Sequence, residues 1–75
     1  MAFDLKLTKE RIRNQDNKTF MNYLVKRMKL GYFELASALD KRGIDLNGTS
    51  SFEDLVRTYR DDIQEYVFEL LEKSR

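Results

Sequence analysis

Arg57 and Arg60 stand three residues apart, and on a helix that spacing puts two side chains on one face. A guanidinium fork matches the paired acceptors at the edge of guanine, so this pair could read bases in a major groove. Lys26, Arg27, Lys29, Lys41 and Arg42 lie near the ends of two earlier helical stretches. Cations placed there suit phosphates, which position a protein on a duplex without reading its sequence. These seven residues are the candidate DNA contacts, two for bases and five for the backbone. A blander account competes: Glu53, Asp54, Asp61 and Asp62 flank both arginines, and ion pairs along a helix are each worth about 0.2–0.5 kcal/mol.

Catalytic chemistry finds little material. The chain has no Cys and no His, which removes thiolate nucleophiles, disulfides and the commonest general base and metal ligand. Ser50 and Ser51 have no basic partner and read as helix caps. Glu53–Asp54 and Asp61–Asp62 are sequence neighbours, so their carboxylates diverge by about 100° on a helix rather than converge on a metal or a glycosidic bond. Asn47-Gly48-Thr49 has a single Gly and no following Lys, unlike a phosphate-binding loop. The residues predict no catalytic site, no metal site, no cofactor and no enzyme.

Seventy-five residues allow one domain with a small core. Of them 41% are hydrophobic and 36% charged, enough apolar material to fold and too much charge for a membrane protein. No apolar run nears the roughly 20 residues that span a bilayer, and no signal peptide is recognisable, so a cytoplasmic location is expected. The net charge of +1 hides a split: residues 1–43 carry ten basic and five acidic residues, and residues 44–75 carry four and eight. The N-terminal surplus suits an anionic partner, and it equally suits a dipole that closes on the acidic half.

These residues need elements to hold them. Phe3, Leu5 and Leu7 alternate with polar residues, which predicts an extended N-terminal arm over residues 1–15. Residues 8–17 are polar around Ile12, with room for a short helical turn. Asp16 or Asn17 caps a first helix with Phe20, Tyr23, Leu24 and Met28 on its stripe. Gly31 is expected to close it in the left-handed conformation. A second helix, about 32–42, buries Leu35, Ala36 and Leu39 together with Tyr32 or Phe33, and Gly43 and Ile44 close it. Ser50 with Glu53, or Ser51 with Asp54, opens a third. Its stripe runs from Phe52 through Leu55, Tyr59, Ile63 and Val67. Unbroken, that helix would extend about 35 Å, so a bend or break is expected near 60–62.

Two resemblances attach to these motifs. A basic helix end, Gly31, then Glu34-Leu35-Ala36 with Leu39 and the Gly43-Ile44 step resemble lambda-repressor-like helix-turn-helix domains across residues 18–60. That resemblance implies DNA binding, with the helix Ser51 to Arg60 as the reading helix. The spacing departs from that family: Asp40-Lys41-Arg42 precede Gly43, and a long loop precedes the third helix. Phe20-x-x-Tyr23-Leu24, Leu35-Ala36 and Ser51-Phe52-Glu53-Asp54-Leu55 with Tyr59 also look like the YozE-type sterile-alpha-motif-like domains, small helical bundles.

The expected architecture is all-α: residues 1–75 form a single domain, with a three- or four-helix bundle over 16–75 and the arm before it. The expected function is a small DNA-binding regulator of helix-turn-helix type, of phage or bacterial kind. The alternative is a protein-protein interaction module acting through aromatic surface or through the arm. Partners are therefore DNA or another protein, a homodimer included, with no membrane and no metal.

Overall fold

The alternation of Leu5 and Leu7 is overridden by a helix. In the computed structural model, which describes residues 4–46 and 49–73, Leu5–Asn14 form α1. Asp4 starts it, its Oδ1 accepting from the Leu7 amide at 3.0 Å. Helical winding sets Leu5, Thr8 and Ile12 along one side, and Ile12 is 1% exposed. Leu7 faces outward at 43% exposure, which is what the change of period costs. The extended arm is thus corrected over its described residues, and Phe3 lies outside them. The three or four helices expected become five among the described residues: α1, α2 (Asn17–Lys26), α3 (Tyr32–Lys41), α4 (Phe52–Thr58) and α5 (Arg60–Lys73). No strand occurs among them, so the chain is all-α.

Asp16 caps α2, its Oδ1 accepting from Thr19 N at 2.8 Å. This helix closes without Gly31. Lys29 takes the positive φ, 59°, and the amides of Met28 and Leu30 reach back to the carbonyls of Tyr23 and Leu24. Gly31, at φ −98°, opens α3 as its N-cap instead, its N–H donating to Glu34 Oε1 at 3.0 Å. The far end of α3 closes as the residue types predict. Gly43 sits at φ 81°, its N–H bonds the Asp40 carbonyl, and Ile44 N bonds the Leu39 carbonyl, the two bonds of a Schellman closure.

Ser51 caps α4, its hydroxyl accepting from Asp54 N at 3.1 Å, so the 51–54 pairing prevails over 50–53. The break before the last helix falls at Tyr59, whose φ of −114° and ψ of 33° leave the helical region. Its hydroxyl donates to the Asp45 carbonyl, pinning the loop before α4.

The helices meet on one core. Phe20, Leu24, Leu35, Leu39, Leu55 and Val67 are buried as their stripes require, joined by Ile12, Leu30, Val56, Ile63 and Phe68. Tyr59 is only half-buried, because its hydroxyl needs a polar partner at the surface. α1 packs on α5, α2 on α4, and α3 against both α4 and α5.

Candidate functional site

The seven cations part company in the fold. Arg60, at the first position of α5, turns inward. Its Nη2 donates to the carbonyls of Ile12 and Gln15, both at 2.8 Å, its Nη1 to Asn17 Oδ1 at 2.7 Å, and its Nε to Gln64 Oε1 at 2.8 Å. The guanidinium carbon lies 4.1 Å from the centre of the Phe20 ring, a cation–π distance. Burial lowers its pKa, opposed by Asp61 and Asp16, and the group stays charged because a guanidinium starts so high. Arg60 therefore ties the end of α1 and the start of α2 to α5.

Arg57 stays outside on α4, paired with Asp54 at 2.7 Å. The break at Tyr59 divides it from Arg60, so the structure does not bring the two guanidinium groups to one groove-facing surface. Arg42 is engaged too, its two Nη atoms meeting the two oxygens of Glu69 at 3.0 and 2.9 Å. That hydrogen-bonded pairing raises the Arg42 pKa and lowers that of Glu69. Lys26, Arg27, Lys29 and Lys41 are exposed, with no ion pair among the described residues. Of the candidate contacts, these four remain open to a ligand.

Beside Lys41 lies a hollow of about 440 Å³ between α3 and α5. Two ridges of α3 form one wall: Phe33, Ser37 and Lys41, and next to them Glu34, Ala38 and Arg42. Each ridge follows the four-residue repeat that lines up side chains on a helix. Tyr66 of α5 and Leu30 close the other side. Phe33 at the mouth is 78% exposed, and Tyr32 is 39% exposed. This overturns the expectation that one of them joins the core of α3. Phe33 is two residues from Leu35, about 200° around the helix, so burying Leu35 and Leu39 turns it outward. The signal was in the sequence: Leu35 and Leu39 define the inner face, and Phe33 cannot share it.

Among the described residues no group of carboxylates is placed to hold a metal ion, and no helix is long and apolar enough to cross a membrane. No family model, no curated protein and no solved structure matches the chain.

Proposed function

We propose that this chain is a small non-enzymatic protein-interaction module whose contact surface is the α3–α5 hollow with Phe33 at its mouth. The exposure of Phe33 carries the reading. An aromatic ring left in water beside an apolar hollow forgoes about 1.5–3 kcal/mol of burial that a partner can restore, and aromatic anchors dominate interface energetics. Lys41, exposed on the rim and without an ion pair among the described residues, selects a partner segment that brings an apolar side chain for the hollow and a carboxylate beside it. The lack of Cys supports a cytoplasmic setting.

The test is a displayed peptide library selected on the immobilised protein. Enriched peptides should share an apolar anchor next to Asp or Glu. Phe33→Asp should weaken a chosen peptide at least about tenfold, the 1.4 kcal/mol that one buried anchor readily exceeds, and leave the urea midpoint unchanged. Peptides without an apolar anchor, or a Phe33→Asp protein that binds as the parent does, would remove this surface from consideration.

DNA binding is the second reading, favoured by the exposed Lys26, Arg27, Lys29 and Lys41. It loses the base contacts assigned to Arg57 and Arg60, which already hold protein partners. Polarisation of a labelled random duplex at two salt concentrations separates the readings, since phosphate-driven affinity falls steeply with salt.

A further inference from the structure

A second cavity, of about 340 Å³, opens between α1 and α2 and shares no residue with the Phe33 hollow. The two helices are consecutive but pack on different partners, α1 on α5 and α2 on α4, and the cleft lies between them. From α1 and its C-cap it takes Thr8, Arg11, Ile12 and Gln15, and from α2 and its C-cap Tyr23 and Arg27. Thr8, Arg11 and Gln15 follow helical spacing, as do Tyr23 and Arg27, so each set lies along one side of its helix by geometry alone. Buried Ile12 provides an apolar wall.

The lining is unusual in its charge. Two guanidinium groups share one cleft, no carboxylate lines it, and neither arginine has an ion pair among the described residues. Around them stand a threonine hydroxyl, a phenol and an amide. Burial raises the Tyr23 pKa while Arg27 lowers it, so the phenol stays protonated and able to donate. The Gln15 side chain adds an independent sign: its buried Oε1 has no hydrogen-bond partner. Buried polar atoms are nearly always satisfied, so the fold leaves part of the Gln15 amide's hydrogen-bonding capacity unused in the wall of the cleft. The backbone around it is held still, because Arg60 grips the Gln15 carbonyl.

We infer that the α1–α2 cleft binds the phosphate group of a small molecule. Two fixed positive charges balance a phosphate dianion, whereas a carboxylate would leave one charge uncompensated and most of the donors idle. A cleft between helices admits a terminal phosphate more readily than a diester within a stiff duplex. The Thr8 hydroxyl and the Tyr23 phenol, which also line the cleft, suit a hydroxyl on the alcohol that carries the phosphate.

Isothermal titration with inorganic phosphate and with ribose 5-phosphate, at ionic strength held constant by sodium chloride, tests the assignment. Both arginines are exposed, so Arg11→Gln and Arg27→Gln should keep the parent's urea midpoint. Each should weaken binding by about tenfold or more, as expected for loss of one charge-assisted contact. Lys26→Gln, outside the cleft, should change it by less than about twofold. Tighter binding of ribose 5-phosphate than of phosphate assigns the uncharged lining of the cleft to the sugar hydroxyls, and equal affinities assign the site to free phosphate; both support the cleft. No saturable binding of either probe overturns the proposal. So does an Arg27→Gln protein with the parent's affinity, or a short duplex that binds where neither probe does.

Discussion

Arg60 joins the end of α1, the start of α2 and α5 through one side chain. A guanidinium fork suits guanine, and the same planar set of donors here serves two carbonyls, an Asn oxygen and a Gln oxygen, with the Phe20 ring against it. Lysine cannot fill that place, since its single ammonium reaches fewer acceptors. Arg60→Lys should therefore lower stability by about 1–3 kcal/mol, the cost of leaving part-buried acceptors unpaired, read as a lower urea midpoint. Asp16 belongs to the same scale. Its bonds from Thr19 hold its carboxyl below the ordinary carboxylate range. For a depressed acid the stabilisation is complete above the unfolded value and is lost as pH falls through the folded one. Asn is an equally good cap without a charge. Asp16→Asn should thus shrink the loss of urea midpoint between about pH 7 and about pH 3, while Glu69, lowered by Arg42, keeps some of it in both proteins.

At the scale of elements, stripe and cap together made much of the fold legible. Leu35 and Leu39, four apart, fixed the inner face of α3, and both are fully buried. Leu35→Ala should cost about 2–5 kcal/mol, and an unchanged urea midpoint would mean that the site refills. Gly43 with Ile44 closed α3 as read, because a positive φ favours glycine and Ile44 packs back on the core. The opposite happened at Gly31, where closing α2 two residues earlier, at Lys29, freed the glycine to cap α3. α1 was misread because period-two alternation over five residues is weaker than one capping aspartate and a buried Ile12 that needs a helix to reach the core. The candidate sites were legible as residue types only. Which cations are spent on the fold depends on contacts across 27 to 48 positions, such as Arg42 with Glu69 and Arg60 with Ile12, and no local pattern encodes those.

For the whole molecule, the split of charge between the two halves is partly answered inside it. Lys9 bonds Glu72 at 2.9 Å and Arg42 bonds Glu69, so the acidic last helix neutralises cations from both α1 and α3. Of the cations that the N-terminal half leaves without an ion pair among the described residues, Lys26, Arg27 and Lys29 cluster at the end of α2, and Lys6, Arg11, Arg13, Lys18 and Lys41 lie apart from them in the sequence. The embrace of α1 by α5 also has a meaning in time. A ribosome releases α1 before α5, and the residues that hold it, Arg60, Phe68 and Glu72, emerge only with α5. Until then α1 is a ten-residue helix without a partner, shorter than the roughly 12–15 residues at which isolated helices begin to persist in water. Docking of α1 therefore waits for α5 instead of following the order of synthesis. A nascent chain stalled after Thr58 should show no cooperative thermal transition by circular dichroism, and should gain one only when α5 has cleared the exit tunnel.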